Sequence, residues 1–160
     1  MLEKNDWAFA VVPPRGEGPN QWDPDPKKDT HLRRRFVLLG RTRDDGQVWD
    51  VRRAVAVLRN DRSLSGARLW VQGEGRMAGV ALYAGLFEPA VERFDLHRLP
   101  ASHRDGPIFL NVLRVLDIPE ALGLLAPNVR LTLINAKDAA FDRTAEIYRL
   151  AGAADKLQRK

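Results

Sequence analysis

Short apolar runs alternate along the chain with longer stretches in which apolar residues recur three or four positions apart. Continuous apolar runs bounded by turn residues are typical of buried strands, and the longer spacing is typical of one helix face. Five runs predict strands, the last of them short and frayed: 7–12, 68–72, 91–99, 129–134 and 156–160. Six stretches predict helices: 31–39, 48–60, 80–87, 108–116, 119–125 and 141–150.

Strands that alternate with helices predict a parallel sheet joined by right-handed crossovers. We therefore expect a single α/β domain over residues 1–160. Its architecture would be a three-layer sandwich around a mostly parallel sheet of four to five strands.

The composition narrows the class of protein further. The 160 residues suffice for one domain with a hydrophobic core. No apolar run approaches the roughly 20 residues of a transmembrane helix, and the acidic amino terminus does not fit a signal peptide. We therefore expect a cytoplasmic protein with no membrane segment.

The absence of cysteine excludes disulfides and thiolate nucleophiles, and the three histidines lack metal-ligand spacing. We expect neither a metal nor a cofactor.

The formal net charge of +5 raises the question of nucleic-acid binding. The densest basic cluster is Arg33-Arg34-Arg35, which at helical spacing fans around the helix instead of forming one stripe. Nucleic-acid binding needs a concentrated basic face, often with aromatic stacking platforms. We interpret the arginines as a solvated surface and do not expect a nucleic-acid partner.

The most informative segment is the glycine-rich turn from Gly73 to Gly79, which separates a predicted strand from a predicted helix. Hydrolases place the motif G-x-S-x-G at such a turn, with serine as the nucleophile. In the frame from Gly75 to Gly79, Met77 stands in the serine position. A thioether has no proton to lose and cannot be activated for attack on an ester.

Three stretches of the chain together resemble the α/β-hydrolase superfamily, in particular its acetyl xylan esterase and dienelactone-hydrolase-like branch. The first, 11–18, is similar to a strand followed by an R-G-x-G turn, and the second, 48–54, is similar to a D-x-x-R-A helix. The third is the turn from Gly75 to Gly79 with its following helix of small residues. The resemblance spans nearly the whole chain but only the second half of the family fold.

The resemblance implies a role for each site residue. Gly75 and Gly79 would form the turn, Met77 would occupy the nucleophile position, and Asp138 would hold the position of the triad acid. The backbone amides of an oxyanion hole would come from Gly16, Glu17 and Ala78. No histidine follows Asp138. The expected protein is thus a catalytically inactive relative of a carboxylic-ester hydrolase, and its ligand would be a small acyl ester or a carbohydrate.

Each of these residues also has a purely structural interpretation. Met77 would fill the former active-site cavity as an adaptable apolar side chain, and Asp138 would cap a helix. The adjacent pair Ser102 and His103 is not expected to act as nucleophile and base, because neighbouring residues rarely point at each other. Ser102 or Asp105 would instead cap the next helix, and His103 would be exposed.

The same glycine-rich turn supports a second interpretation. Gly73-x-Gly75-x-x-Ala78 follows a strand and opens a helix, as in the dinucleotide fingerprint, and Asp95 lies on the next strand where the ribose-binding acid would be.

A third interpretation is a non-enzymatic scaffold or partner-binding module. A partial sheet exposes an edge, and an unprotected edge pairs with another chain. This interpretation predicts a homo-oligomer or a larger assembly.

Overall fold

The computed structural model describes residues 7–23 and 25–160. Its four strands form one parallel sheet in the order β1-β2-β3-β4: Leu69–Glu74, Val91–His97, Arg130–Ile134 and Leu157–Arg159. The helices α1 to α5 of the described residues are Pro26–Leu38, Arg43–Asn60, Arg76–Gly85, Ile118–Gly123 and Asp142–Leu150. Short 3-10 turns lie at Gly18–Asn20, Val112–Arg114, Ala139–Phe141 and Ala154–Lys156. The predicted α/β character and parallel sheet are confirmed.

Membrane-spanning helices are not found within the two described ranges, where no helix is both long enough and apolar enough to cross a bilayer.

Capping residues set the starts of the first two helices earlier than the apolar spacing predicted. Asp25 accepts a hydrogen bond from the amide of Lys27, so α1 begins at Pro26, a residue suited to the first helical turn. Thr42 and Asp45 form a reciprocal capping box, so α2 begins at Arg43. The first turns of both helices are polar, and a search for apolar periodicity therefore misses them.

The hydrophobic core lies between one face of the sheet and the helices α3, α4 and α5. Phe94, Leu96, Leu131 and Leu133 alternate along β2 and β3 and are at most 1% exposed. They form one cluster with helical residues that include Leu82, Ile118, Leu122 and Tyr148. Side chains on the opposite face of the sheet are polar or amphipathic: Trp70, Gln72, Arg93, Asp95, Thr132 and Gln158.

The prediction of a buried strand at residues 7–12 is wrong. This segment is extended but forms no strand, and Phe9 and Val11 are 82% and 91% exposed. Among the described residues, no backbone hydrogen bond joins it to β1. The apolar run therefore has the composition of a buried strand but forms no strand pairing.

The predicted helix at residues 108–116 is also wrong, because only Val112–Arg114 forms a single 3-10 turn. Asn111 has a left-handed backbone with φ of 61°, which interrupts a right-handed helix at that point. Leu113 and Val115 are exposed, so the apolar residues of this stretch do not gather on one buried face.

Candidate functional site

The turn between β1 and α3 has its sharpest point at Gly75. Its backbone has φ of 54° and ψ of −130°, a conformation that side chains disfavour and that glycine adopts freely. The amide of Gly75 donates to the carbonyl of His97 at 2.8 Å, and the amide of Ala78 donates back to the carbonyl of Gly75 at 3.0 Å. The strand therefore passes directly into the helix through one residue.

Two other glycines let the chain pack closely around this turn. A Cβ added at Gly73 would lie 2.8 Å from the Cα of Ala78, and one at Gly79 would lie 2.6 Å from the Pro107 ring. A Cβ at Gly75, by contrast, meets no atom within 4 Å. A side chain at position 75 would thus have open space but a strained backbone, whereas one at position 73 would collide with the helix.

Met77, the expected nucleophile position, is the second residue of α3 and is half-buried. Its sulfur lies 3.8 Å from Nη2 of Arg76. Met77 therefore lies beyond the sharp point of the turn, within the first regular turn of the helix.

Arg76 joins the turn to two other segments of the chain. Its Nη2 forms an ion pair with Glu17, and its Nη1 donates to Asp44 Oδ1 at 2.5 Å and to Gln47 Oε1 at 2.7 Å. Asp44 and Gln47 lie in the first turns of α2 and are almost fully buried. Asp44 also accepts from the amide of Ile108 at 2.6 Å. One guanidinium thus satisfies buried polar groups and fixes the 15–18 loop beside α3.

A second arginine fixes the other end of the same loop. Arg15 donates to Asp50 of α2 through Nε at 2.8 Å, Nη2 at 2.6 Å and its backbone amide at 2.9 Å. This forked hydrogen bonding holds the pKa of the Asp50 carboxyl below its ordinary value. Arg15 is therefore a tether between loop and helix.

The expected oxyanion-hole amides all donate hydrogen bonds within their own turns. The amide of Gly16 donates to the carbonyl of Asn20 at 3.0 Å, and that of Glu17 donates to Pro14 at 3.1 Å. The amide of Ala78 donates to the carbonyl of Gly75. Amides that already donate along a turn are not free donors for a developing oxyanion.

Asp138 follows β3, as expected for the triad acid, but its carboxylate is exposed and accepts from the amide of Ala140 at 2.8 Å. This is the capping role of the structural interpretation. Within the described residues, no hydrogen bond or ion pair connects the Asp138 side chain to the β1–α3 turn.

Three neighbouring strands end in the same unusual way. Gly75, Arg98 and Asn135 directly follow β1, β2 and β3, and each has a positive φ between 47° and 54°. Each amide donates across to the next strand or its end. Ligands of open α/β sheets bind outside the carboxyl ends of the strands, and backbone strain clusters at functional sites. The carboxyl ends of β1, β2 and β3, with Asp138 beside them, form the candidate site.

His103 is buried, not exposed as predicted. Its Nδ1 lies 2.7 Å from the carbonyl of Pro107 and its Nε2 lies 2.7 Å from the hydroxyl of Tyr83. The Pro107 carbonyl can only accept, so Nδ1 donates to it, and Nε2 shares its hydrogen bond with the Tyr83 hydroxyl, whose pKa is raised by burial. Both ring nitrogens are occupied, and the ring is therefore a structural link that leaves no base for Ser102.

Asp95, required by the dinucleotide interpretation, is held by Arg93 through two hydrogen bonds of 3.0 Å and is 5% exposed. It lies inside β2 rather than at its carboxyl end. The carboxylate is therefore not presented to a ribose at the glycine-rich turn. Within residues 7–23 and 25–160, no group of three acidic or histidine side chains is arranged to hold a metal ion.

Sequence reasoning missed Arg76, Asp44 and Gln47 as a unit. The available signal was weak: a charged residue inside a glycine-rich turn and two polar residues in a helical stretch. A charged group in so crowded a turn needs a partner, but the sequence does not say which of the 21 acidic residues supplies it.

No protein-family model matches the chain, and no curated protein matches it. Its structure is similar to the crystal structure of a putative acetyl xylan esterase from Bacteroides fragilis NCTC 9343, with a TM-score of 0.67 and 15% sequence identity. The similarity covers 91% of this chain and 44% of that one. The chain therefore has an esterase-like α/β fold and spans less than half the length of the protein it matches.

Proposed function

We propose that the chain is an esterase-like α/β-hydrolase scaffold that does not hydrolyse esters, because its nucleophile position is occupied by Gly75. The observation that carries the proposal is the backbone of Gly75, with φ of 54° and ψ of −130° at the sharp strand-to-helix turn. In a nucleophile elbow the serine occupies this strained turn, from which its hydroxyl projects.

The glycine contacts support the same frame. In G-x-S-x-G the first glycine permits close packing, and here Gly73 is the glycine that lies against the Cα of Ala78. Position 75 has the open space that a nucleophile side chain requires. The motif frame is therefore Gly73 to Met77, two residues before the frame that the glycine spacing first suggested.

The surroundings of the turn favour a non-catalytic role. The ion pair of Glu17 and Arg76 fixes the loop against the turn, and the amides of Gly16, Glu17 and Ala78 are engaged internally. Hydrolysis also needs a base within hydrogen-bond reach of the nucleophile. Of the described histidines, His103 is committed to Tyr83 and Pro107.

The test is hydrolysis of p-nitrophenyl acetate by the purified chain. We expect the wild type, Gly75→Ser and Met77→Ser all to show only the background rate, because none of them has nucleophile, base and acid together. Turnover by the wild type that is lost in Asp138→Ala, but kept when the exposed Asp155 is replaced by alanine, would show a working triad and sink the proposal.

A scaffold of this kind can still bind the ligand class of its relatives without cleaving it. We expect a small acyl ester or a carbohydrate to contact the carboxyl ends of β1 to β3, where Arg98 forms an exposed ion pair with Glu74. Acetylated xylo-oligosaccharide at millimolar concentration should raise the melting temperature of the wild type. Arg98→Ala should reduce this shift, and an equal shift in both proteins would place the ligand elsewhere.

A further inference from the structure

Within residues 7–23 and 25–160, the outer edge of β1 has backbone groups without a strand partner. In this part of the chain β1 is the end strand of the four-stranded sheet and pairs with β2 alone. The amide of Gly75 points to His97 of β2. Because backbone groups alternate in direction along a strand, the amides and carbonyls of Trp70 and Gln72 point away from β2.

An apolar groove of about 920 Å³ runs along this edge. One wall is the apolar face of α2, with Val51, Val55 and Leu58, and the opposite wall is the extended segment 7–14. The ring of Trp7 contacts that of Trp70 edge to face, with centroids 5.4 Å apart. Since no backbone hydrogen bond in the described residues crosses from 7–12 to β1, the groove separates two extended segments.

β1 itself lacks the residues that normally protect an end strand. It contains no proline and no lysine, and its one charged residue, Glu74, is at its carboxyl end. Protected edge strands carry such residues or strong bulges. The register shift between Leu69 and Trp70 lies at the start of the strand and leaves the remaining pairs regular.

The charge around the groove favours an acidic terminus on its occupant. Four arginines line the end near the start of β1: Arg59, Arg68, Arg93 and Arg130. Two carboxylates face them, since Glu92 pairs with Arg68 and Asp95 pairs with Arg93. This end of the groove therefore has an excess of positive charge.

We propose that this groove binds a single extended apolar segment of another polypeptide, which pairs with the outer edge of β1 and places an acidic residue near Arg59 and Arg68, beside the start of β1. This is recognition by strand addition: backbone hydrogen bonds hold the segment, and alternate side chains contact the two walls. A second copy of the chain fits less well, because the edge of its own β1 is flanked by α2 and by the segment 7–14. The inference does not depend on the proposed loss of esterase activity.

A synthetic peptide provides the probe. Its core alternates valine and leucine over about the length of β1, with one aspartate at each end and blocked termini. Isothermal titration into the full chain should show saturable binding, and fluorescence of the groove tryptophans should change in parallel. The same peptide with a central proline should not bind, because it loses a backbone donor and the extended pairing geometry. Absence of binding by the first peptide at millimolar concentration would overturn the proposal.

Two variants at one position separate backbone pairing from side-chain contact. Gln72→Pro removes the outward amide without touching the ladder to β2, since proline is tolerated at an edge strand whose amide faces outward. We expect at least a tenfold loss of peptide affinity in Gln72→Pro and a change of less than twofold in Gln72→Ala. Equal binding by both variants would exclude strand addition.

A third variant guards against misfolding of the proline substitution. Ala54 lines the groove on α2, and Ala54→Trp should fill it without altering β1. We expect an unchanged melting profile and loss of peptide binding, and retained affinity would count against the groove.

Sedimentation of the wild type should show a monomer. A dimer that the peptide dissociates would instead identify a second copy as the occupant and overturn the assignment to another polypeptide.

Discussion

The carboxylate of Glu17 and the guanidinium of Arg76 form an ion pair that joins the 15–18 loop to the first turn of α3. The same guanidinium hydrogen-bonds Asp44 and Gln47 at the start of α2. Three segments that are distant in sequence therefore meet at one side chain. This contact and the bonds from Arg15 to Asp50 add to the loop's own turn hydrogen bonds and fix the loop beside the strand-to-helix turn.

Arg76→Ala should destabilise the protein by about 1–3 kcal/mol, because it removes the donor of two buried oxygens, Asp44 Oδ1 and Gln47 Oε1. The measurement is the free energy of unfolding from urea denaturation. Arg76→Lys should retain part of the stability, since it keeps the charge but loses the planar fork. Glu17→Gln removes a partly exposed partner and should cost less than about 1 kcal/mol. An equal loss in Glu17→Gln and Arg76→Ala would show that the buried partners contribute little.

Alanine substitutions at Gly75 and Gly73 should destabilise the protein, whereas the same substitution at Gly66 should not. Gly75→Ala forces a side chain into a left-handed backbone and should cost about 1–3 kcal/mol. Gly73→Ala drives a methyl group against the Cα of Ala78 and should cost a similar amount. Gly66 has open space and no positive φ, so Gly66→Ala is the matched control and should be neutral or slightly stabilising. Thermal melts would compare the three, and a tolerated Gly73→Ala would contradict the described turn.

The ion pair of Arg15 and Asp50 should contribute a pH-dependent part of the stability. The pKa of Asp50 is lower in the folded chain than its ordinary value, which is about 3.9 in model peptides. Its contribution is therefore present above about pH 4 and is lost as the pH falls through the depressed folded-state pKa.

Melting temperatures of the wild type and Asp50→Asn should consequently differ most near neutral pH and converge in acid. Asp155→Asn removes one exposed carboxylate without touching Arg15 and reports the effect of net charge alone. A difference between the wild type and Asp50→Asn that stays constant from neutral pH to pH 2 would argue against this ion pair.

His103 should be required for the packing of the loop that precedes α4. His103→Ala leaves the Tyr83 hydroxyl and the Pro107 carbonyl without partners and should cost about 1–3 kcal/mol. Tyr83→Phe removes only one of these bonds and should cost about 0.5–1.5 kcal/mol. Urea denaturation would compare them. A neutral His103→Ala would indicate that the ring is not the link between α3 and the loop.

The sequence by itself determined the elements whose signals are local. The alternating strands and helices, the parallel sheet and the position of the turn after β1 all follow from apolar spacing and from glycine placement, which act over a few residues. The absence of serine at the turn and of histidine after Asp138 is likewise a fact of the sequence. Composition was misleading at residues 7–12, because an apolar run becomes a strand only where another strand pairs with it.

Only the tertiary structure decided which residue of the turn has the strained backbone. Two overlapping glycine frames fit residues 73–79, and Gly75 is distinguished by its φ and by the bond from its amide to His97, a residue on another strand. The engagement of the Gly16, Glu17 and Ala78 amides, the burial of His103 and the groove beside β1 depend in the same way on neighbours far along the chain. Such contacts leave no local period or spacing, and for that reason they became visible only when the chain was folded.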